Sequence, residues 1–347
     1  MELDSYTIDI HATLIDVLKK IDQLPSLQTV FILDESKKVV GTVTDGDIRR
    51  GIINGLDLNT PLEAFVYNDF SFLSEGEENF FKLKEFRKRK LKAVPLLSKT
   101  GTLMKIYNFS EIKSILPIDA VLMAGGKGVR LRPLTEKTPK PLLKIGNKEI
   151  IAYNFDRLAQ FGISNQFITV NYLANQIEAF CETYNTNISF RIIEEPSMLG
   201  TAGALSLIDD FKNDNILLMN SDLLTNIDYE DLYKTFIGSN ADMLVASIPY
   251  EVNLPYAVFE VENRNIKSFK EKPNFTYYAN AGIYLFKKEL LKIVPKNKEY
   301  NATDFMEDVI ARSNNLIHYP IRGYWLDIGK HKDFEKAQKD IAHIDWS

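Results

Sequence analysis

Between residues 118 and 311, short apolar segments alternate with amphipathic ones, and only a few residues join each segment to the next. The apolar segments are typical of strands: "DAVLMA", "QFITVN", "ISFRIIEE", "NILLMNSD", "DMLVASIPY", "YAVFEVE" and "AGIYLFKK". The amphipathic segments are typical of helices: "IIAYNFDRLAQFG", "NQIEAFCETYN", "TAGALSLIDDFK", "YEDLYKTFIG" and "TDFMEDVIARS". Such alternation predicts an α/β, mostly parallel, doubly wound (Rossmann-like) domain, whose ligands bind beyond the carboxyl ends of the strands.

The first part of the chain contains an internal repeat. Residues 29–48, "TVFILDESKKVVGTVTDGDI", align without a gap with residues 93–112, "AVPLLSKTGTLMKIYNFSEI". Each copy reads as a strand, a polar turn, a second strand and a helix start, and an amphipathic helix precedes each copy, at 12–24 and 79–91. Because one copy is too small to bury a core alone, we expect the two to pair about a pseudo-twofold axis.

The repeat and the strand–helix alternation divide the chain. An α+β pair is expected at 1–115, with repeats at about 1–58 and 59–115. Pro117 disfavours a helix at the residue before it, and the first strand of the α/β domain begins directly afterwards. The second domain is therefore expected at 118–347.

Composition excludes several classes of protein. A formal net charge of −5 over 347 residues argues against nucleic acid as a partner. No apolar run approaches the roughly 20 residues that span a bilayer, and the first residues lack the regions of a signal peptide. The single cysteine, Cys181, allows no internal disulfide and is expected to pack in a helix rather than act as a nucleophile. We therefore expect a cytoplasmic protein with no membrane partner.

The segment "LMAGGKGVRLRPLTEKTPKPLL", residues 122–143, indicates an anion site. A strand runs into glycine-rich turns, so the backbone N–H groups of residues 125–128 can converge on an oxygen anion. Arg130 adds a cation, and the prolines on both sides of Lys140 hold that residue in a stiff, extended segment. The spacing fits neither a P-loop nor the dinucleotide-binding fingerprint. The segment therefore predicts a phosphate site of another kind.

Two aspartates end apolar segments that are far apart in the sequence. Asp222 follows the strand in "NILLMNSDLL", and Asp327 ends the apolar stretch in "GYWLDIGKHKDF", before a glycine. Together they could hold one Mg²⁺, which binds a few carboxylates together with phosphate oxygens and water. Either aspartate alone could instead cap a helix or stabilise a turn.

Taken in order, these motifs resemble those of sugar-1-phosphate nucleotidylyltransferases, the family that includes mannose-1-phosphate guanylyltransferases. The resemblance covers residues 118–343 through "LMAGGKGVRLRPLT", "PKPLL", "EEPSMLGTAGAL", "NSDLL", "FKEKP", "NAGIYLF" and "WLDIGKHKDF". Met123 and Val129 stand where the family more often has alanine and threonine. The resemblance implies that a sugar 1-phosphate attacks the α-phosphorus of a nucleoside triphosphate, with Mg²⁺ as cofactor, and that an NDP-sugar and pyrophosphate are formed.

The resemblance also implies roles for individual residues. Arg130 and Lys140 would neutralise phosphate charge, and Asp222 and Asp327 would carry the Mg²⁺ that bridges the two substrates. The nucleotide would be bound by Met123, Ala124, Gly125, Gly126, Gly128, Glu195, Gly200, Thr201 and Ala202. The sugar phosphate would be bound by Glu271, Lys272, Asn280 and Gly282. No general base is required, because the attacking phosphate oxygen is already ionised.

The first part of the chain resembles a pair of CBS domains, chiefly through "VVGTVTDGDIRRG" at 39–51. The resemblance implies that an adenosine or guanosine nucleotide binds here, with Thr44 at the phosphate and Asp47 at the ribose, and that it regulates the enzyme. The second repeat has Asn108 and Glu111 at the equivalent positions. Alternatively, the acidic residues of the first loop only cap a helix, and the pair serves as a dimer contact in a homo-oligomer.

Glu195 favours guanine as the base. Family members that take thymidine or uridine triphosphate often have glutamine here, whereas an ionised carboxylate only accepts and so matches the adjacent N1–H and N2–H donors of guanine. Alternatively, Glu195 is a solvated residue at a strand end, and Glu194 or backbone groups read the base. The sugar could be mannose, a heptose or an amino sugar such as glucosamine; similar CBS-fused enzymes make GDP-activated amino sugars for bacterial surface glycans, which favours glucosamine 1-phosphate.

Two other functions stay open. One is a UTP-, dTTP- or ATP-dependent transferase that acts on a different sugar phosphate. The other is a non-catalytic sensor of sugar nucleotides, in which we would expect the loss of Arg130, Lys140 or an aspartate. None of these residues is lost.

Overall fold

The computed structural model describes residues 3–24, 27–184 and 188–346. The chain divides into two compact units, Met1–Leu116 with Gln160–Gly162 and Pro117–Ala159 with Ile163–Ser347. Among the described residues, no helix combines the length and the apolar character that crossing a membrane requires.

The first unit contains two three-stranded sheets. Its elements are β1 (Thr7–Asp9), α1 (Leu14–Asp22), β2 (Thr29–Leu33), β3 (Val39–Thr44), α2 (Asp45–Ile53), β4 (Leu73–Ser74), α3 (Phe80–Lys88), β5 (Ala93–Leu97) and β6 (Leu103–Asn108), with 3-10 turns at Leu3–Tyr6 and Leu62–Ala64. In each sheet the first strand pairs parallel with the second, and the second pairs antiparallel with the third. In α1, the spacing of three and four residues places Leu14, Val17 and Ile21 on one buried face.

The repeat in the sequence is also a repeat in the structure. A β-bulge interrupts the β2–β3 pairing between Ile32 and Leu33 and the β5–β6 pairing at the equivalent step. Lys38 forms an antiparallel bridge with Thr102, its own counterpart in the alignment, so a local twofold axis passes through this bridge. One apolar cluster draws buried residues from both copies: Leu27, Phe31, Val39, Leu97 and Ile106. The two copies therefore complete one core, as their size predicts.

The second unit carries the remaining elements. They are β7 (Ile118–Met123), β8 (Lys144–Ile145), β9 (Lys148–Glu149), α4 (Ile150–Gln160), β10 (Asn165–Val170), α5 (Ala174–Thr183), β11 (Ser189–Glu194), β12 (Asn215–Asn220), β13 (Leu223–Thr225), α6 (Tyr229–Gly238), β14 (Met243–Asn253), β15 (Val258–Glu262), β16 (Asn265–Lys270), β17 (Asn274–Lys287), α7 (Ala302–Ala311), β18 (Leu316–Pro320), β19 (Trp325–Asp327) and α8 (His331–Asp340). Short 3-10 turns lie at Val129–Leu131, Lys140–Leu142, Gly203–Leu207, Lys288–Ile293 and Ile341–His343.

The central sheet confirms the α/β, mostly parallel fold class. Its seven strands lie in the order β11-β10-β7-β12-β17-β14-β18. The strands from β11 to β12 are parallel to one another, β17 runs antiparallel to both of its neighbours, and β14 is parallel to β18. All six residues of β10 are buried, as a strand covered by helices on both faces requires.

Two local expectations are wrong. The helix expected at 201–212 is only the 3-10 turn Gly203–Leu207, because the N–H groups of Leu205 and Ile208 donate to carbonyls three residues back instead of four. The helix start expected in the second repeat is only a turn after β6, in which the Asn108 side chain bonds Ser110 and Glu111, and Pro117 soon after it leaves no room for a helix of ordinary length. Asn185, the last residue of the helix expected at 175–185, lies outside the described residues.

Candidate active site

Two segments leave the same edge of the central sheet side by side. β7 ends at Met123 and β12 ends at Asn220, and these two residues are partners in the parallel register. The glycine-rich segment follows β7, and Ser221 and Asp222 follow β12. Residues from both segments line a cavity of about 270 Å³: Met123, Ala124, Gly126, Gly128, Val129, Arg130, Lys140, Pro141, Ser221 and Asp222. The structure thus brings expected phosphate-binding residues together with an expected metal ligand.

The glycine-rich turn is held in shape by Thr135, a residue that the sequence analysis did not single out. Gly128 has a left-handed backbone with φ +59°, and a Cβ there would lie 3.0 Å from Thr135 Cγ2. The Thr135 hydroxyl donates to the Gly128 carbonyl at 2.8 Å, and the Tyr172 hydroxyl donates to the Thr135 carbonyl at 3.0 Å. Because glycine tolerates this conformation without strain, the turn follows the cavity wall closely.

Lys140 meets both aspartates. Its ammonium group forms an ion pair with Asp222 Oδ2 and lies 3.7 Å from Asp327 Oδ1. The two acids converge because β13 pairs antiparallel with β19, which places Asp327 opposite Leu223. The Lys140 side chain is 11% exposed, so its interaction with the acids is only partly screened by water. Pro139 and Pro141 flank it, but the expected extended segment is wrong at this point: Lys140 begins the 3-10 turn Lys140–Leu142, for which Pro139 is the N-terminal cap.

The electrostatics of the acid pair suit a divalent cation. Burial raises the pKa of Asp327 above its usual range, and the Asp222 carboxylate raises it further, while Lys140 and Arg130 oppose the rise. Asp222 Oδ1 is buried and has no hydrogen-bond partner in the described structure. A buried oxygen without a donor costs about 1–3 kcal/mol. A metal ion that is bound there would remove that cost.

Only two carboxylates contribute to this pair. The described part of the chain contains no group of three or more His, Cys, Asp or Glu side chains that could hold a metal ion. A Mg²⁺ ion on Asp222 and Asp327 would therefore complete its six oxygen ligands with phosphate oxygens and water, which is its usual preference.

Arg130 and Asp327 approach each other across Gly329. A Cβ on Gly329 would lie 3.5 Å from Arg130 Nη2 and 3.5 Å from Asp327 Oδ2. The guanidinium therefore lies beside the acid pair, and Arg130 also lines the cavity. Arg130 is exposed, so its charge is accessible to an incoming phosphate.

Glu195 is buried, with 7% of the residue exposed, so it is not a solvated strand-end residue. The Leu199 N–H donates to its Oε2 at 3.0 Å, and a Cβ on Gly125 would lie 2.9 Å from its Oε1. Burial raises the pKa of Glu195, while hydrogen bonds from Leu199 and Thr169 lower it. Glu194 is exposed. Glu195 thus packs directly against the glycine-rich segment.

The segment 200–202 contacts the start of α7. Gly200 has φ +75°, and a Cβ there would lie 2.8 Å from the Tyr300 carbonyl oxygen. The Ala302 N–H donates to Thr201 Oγ1 at 2.8 Å, and the Ala202 N–H donates to the Tyr300 carbonyl at 2.9 Å. These residues do not line the cavity described above. Their role in nucleotide binding stays a prediction.

The residues expected at the sugar phosphate occupy two places. Glu271 and Lys272 are exposed in the turn between β16 and β17 and do not line the cavity. Gly282 is buried in β17, and a Cβ there would lie 2.6 Å from Asn220 Nδ2. Asn280 Oδ1 accepts from the Gly282 N–H at 2.9 Å. Asn220, at the end of β12, is therefore a further side chain beside the site, which the motif "NSD" contained.

In the first unit, the loop after β3 forms a helix cap. The Thr44 N–H and hydroxyl both donate to Asp47 Oδ2, at 2.8 and 2.6 Å, and the Asp47 N–H donates back to Thr44 Oγ1 at 3.3 Å. Arg50 donates to Asp47 Oδ1 at 2.6 Å. The alternative of a capping role is therefore present in the structure.

Cys181 is buried in α5, and burial raises the pKa of its thiol to about 12. A protonated, buried thiol is inert, as the interpretation of Cys181 as a packing residue requires.

Comparisons with family models cover both parts of the chain. A model described as a nucleotidyl transferase matches residues 119–344. A model described as a CBS domain matches residues 1–54, which is the first of the two repeats.

Similar curated proteins carry guanylyltransferase names. They include mannose-1-phosphate guanylyltransferase catalytic subunit beta of Dictyostelium discoideum, 31% identical, probable mannose-1-phosphate guanylyltransferase 1 of Oryza sativa subsp. japonica, 30% identical, and mannose-1-phosphate guanyltransferase of Saccharomyces cerevisiae, 29% identical. Each alignment covers 62% of this chain and 62% of the relative. The chain thus spans less than two thirds of the length of these relatives.

Solved structures of similar fold match the same region. A putative glucose-1-phosphate thymidylyltransferase from Bacillus anthracis, in complex with a sucrose, matches with a TM-score of 0.53 at 25% identity, over 66% of this chain and 97% of that one. HddC from Yersinia pseudotuberculosis, complexed with GMP-PN, matches with a TM-score of 0.50 at 22% identity, over 64% and 99%. The second likeness concerns the fold alone.

Proposed function

Because this chain belongs to the nucleotidyl transferase family, we propose that it joins a nucleoside triphosphate to a sugar 1-phosphate, with formation of an NDP-sugar and release of pyrophosphate. The observation that carries the proposal is the meeting of Lys140 with Asp222 and Asp327 beside a glycine-rich cavity. A cation next to paired carboxylates and a glycine-rich turn suits the transfer of a phosphorus group, which needs positioning and charge neutralisation more than covalent chemistry.

The residues of the candidate site each have a distinct role in the proposed reaction. The N–H groups of residues 125–128 and the Arg130 guanidinium bind the β- and γ-phosphates and stabilise the pyrophosphate as it leaves. Lys140 neutralises charge where the two substrates meet. Asp222 and Asp327 would hold Mg²⁺, which would supply positive charge that lowers the repulsion between the two substrates. No side chain needs to remove a proton, because the attacking phosphate is ionised.

We propose guanine as the base, in keeping with the guanylyltransferase names of the relatives. An ionised carboxylate has about four acceptor positions. Leu199 and Thr169 engage Glu195 from the protein side, so acceptor positions remain for the N1–H and N2–H groups of guanine. These two donors also offset the burial that raises the pKa of Glu195. A base without paired donors would leave the buried carboxylate under-satisfied.

For the second substrate we propose a hexose 1-phosphate held by Lys272, with Glu271, Asn280 and Gly282 at the sugar. Mannose 1-phosphate is the substrate in the names of the relatives, and glucosamine 1-phosphate is the alternative from the fused architecture. Glu271 and Lys272 lie in an exposed turn, so the proposal requires this turn to approach the substrate when it binds. The product is an activated sugar for surface glycan synthesis.

The CBS domain at residues 1–54 is proposed to bind an adenosine or guanosine nucleotide through Thr44 and Asp47 and to change the activity of a homodimer. A ligand shifts activity only if it binds two states unequally. Calorimetry of the full chain should therefore show a second nucleotide site that Asp47→Ala removes and Asp34→Ala retains. Unchanged binding in Asp47→Ala would leave this loop with its capping role alone.

We place the protein in the cytoplasm on the grounds of its single cysteine.

The decisive experiment is a screen for pyrophosphate release. GTP, UTP, dTTP and ATP are each combined with mannose 1-phosphate, glucosamine 1-phosphate and a heptose 1-phosphate, with Mg²⁺, and the Asp222→Asn variant serves as the control for contaminating activity. We expect release with GTP and one hexose 1-phosphate. Release with UTP or dTTP at the same rate would overturn the guanine assignment, and no release above that of the variant would overturn the proposed reaction.

A further inference from the structure

One face of α8 is directed at the segment that carries Lys140. His331, Phe334 and Gln338 are spaced by three and four residues, so they lie on one stripe of the helix. Phe334 packs against an apolar cluster that includes Leu131 and Leu143, and Ala337 of the same helix is buried within it. The apolar middle of the stripe thus covers the buried side of residues 131–143, the segment that carries Lys140.

The two polar ends of the stripe bond the backbone of that segment. His331 Nε2 lies 2.9 Å from the Arg132 carbonyl oxygen. Because a carbonyl only accepts, the ring nitrogen must carry a proton and donate. The Gln338 side chain makes two bonds: its Nε2 donates to the Lys144 carbonyl at 2.7 Å, and its Oε1 accepts from the Gly146 N–H at 2.9 Å.

Lys140 lies between these two anchors. The held positions, 132 and 144–146, flank the stiff turn that presents its ammonium group to the acid pair. On the other side, β19 delivers Asp327 and is followed after Gly329 by α8 itself. The unit formed by β19, the turn at Gly329 and α8 therefore carries Asp327 and also bonds the segment that carries Lys140.

We propose that His331 and Gln338 are positioning residues, which fix the distance between Lys140 and the Asp222–Asp327 pair. The inference rests on the proposed nucleotidyl transfer. A misplacement of about 1 Å away from the reacting atoms can cost on the order of 10²-fold in rate. Other bonds also hold residues 132–146, among them those of the Tyr172 hydroxyl to the Thr135 and Glu136 carbonyls and that of the Tyr153 hydroxyl to the Ile145 carbonyl, but none of these comes from the helix that follows Asp327.

The test compares His331→Ala, Gln338→Ala and their combination with wild type. His331→Gln keeps a donor at the position of Nε2 and is the conservative rescue, and Lys339→Ala, exposed on the same helix, is the matched control. Amide hydrogen exchange of residues 138–146 is measured first, because it needs no activity. Turnover and KM for the triphosphate follow, together with the thermal midpoint.

We expect the combined variant to exchange the 138–146 amides at least about tenfold faster, since two anchors are lost, and to show kcat reduced by about 10- to 100-fold. KM should change little, because the loss is in the transition state. His331→Gln should restore most of the turnover that His331→Ala loses. If either single variant unfolds, the other and the rescue still decide the question.

Three outcomes would overturn the positioning role: unchanged exchange in the combined variant, the same loss of turnover in Lys339→Ala, or no recovery in His331→Gln. A wild type that releases no pyrophosphate with any substrate pair would instead overturn the proposed function. In that case accelerated exchange would still show that His331 and Gln338 hold the segment in place, and unchanged exchange would show that they do not.

Discussion

Two loops of this molecule each follow a buried strand and each carry charged side chains, but they use those side chains differently. After β3, the acidic and hydroxyl groups of Thr44 and Asp47 bond each other and Arg50. At the edge of the central sheet, Asp222 keeps a buried oxygen without a partner, and a cavity lies beside it. The first loop is chemically complete without a ligand, whereas the second is not.

The two loops thus differ in what they cost the protein when no ligand is bound. A helix cap of the Thr44 kind contributes about 1 kcal/mol to stability, while an unpartnered buried carboxylate oxygen lowers stability by a similar or larger amount, about 1–3 kcal/mol. A folded protein retains such a cost where a ligand removes it.

The largest effect should come from the acid pair. Asp222→Asn and Asp327→Asn should each lower kcat by on the order of 10²-fold or more with folding intact, because each removes an anionic metal ligand. Steady-state kinetics at limiting Mg²⁺ is the measurement, and Asp209→Asn, at an exposed position, is the control. Near-normal turnover in both variants would refute the two-aspartate site.

Lys140 should prove to compete with the metal when no nucleotide is bound. Its ammonium group lies between the two acids, so Lys140→Met should strengthen Mn²⁺ binding to the nucleotide-free protein by about tenfold, or ~1.4 kcal/mol. Electron paramagnetic resonance of free Mn²⁺ measures this directly. Lys144→Met, whose lysine pairs with Glu149 at 3.4 Å, should leave the affinity unchanged; an equal gain in both variants would show only a general effect of net charge.

Glu195→Gln should reduce the preference for GTP over UTP by about fivefold in kcat/KM, because an amide offers one acceptor and one donor group instead of acceptors only. Competition assays with mixed triphosphates measure the ratio. Glu194→Gln is the matched control at the exposed neighbouring position. A loss of preference in Glu194→Gln alone would assign the reading of the base to that residue.

The smallest effect belongs to the first loop. Thr44→Ala should destabilise the first unit by about 1 kcal/mol, since it removes the helix cap, and should leave basal turnover within about twofold. Urea unfolding, followed by amide exchange in α2, measures the loss. Thr100→Ala, in an exposed turn of the second repeat, serves for comparison. Equal stability of Thr44→Ala and wild type would mean that the cap contributes nothing measurable to the free energy of unfolding.

The sequence predicted those parts of the fold that local pattern decides. The strands of the repeat and four of the five expected helices of the second unit are present, because their apolar spacing agrees with the faces they bury. The helix expected at 201–212 is only a 3-10 turn, since the N–H groups of Leu205 and Ile208 bond carbonyls three residues back, a difference that apolar spacing does not predict. The bounds of the long strands β14 and β17 depend on their pairing partners, so the sequence predicted only part of each strand.

The sequence predicted the candidate site to the extent that the chemistry of the site is carried by side chains at strand ends. Asp222, Asp327 and Lys140 could be named because charged residues beside glycines and prolines rarely serve packing alone. Thr135, His331 and Gln338 could not, because their partners are backbone atoms in a distant segment. A backbone carbonyl is the same at every position, so the sequence gives no sign of which side chain will meet it.

The bridge between Lys38 and Thr102 bears on the ancestry of the first unit. When a position pairs with its own counterpart, the contact is isologous, the kind that two identical molecules form across a dyad. A gene for a single copy could thus have encoded a homodimer before duplication and fusion joined both halves in one chain. Once both halves are in one chain they need not stay identical, and they now differ: Thr44 stands in one loop and Asn108 at the equivalent position of the other.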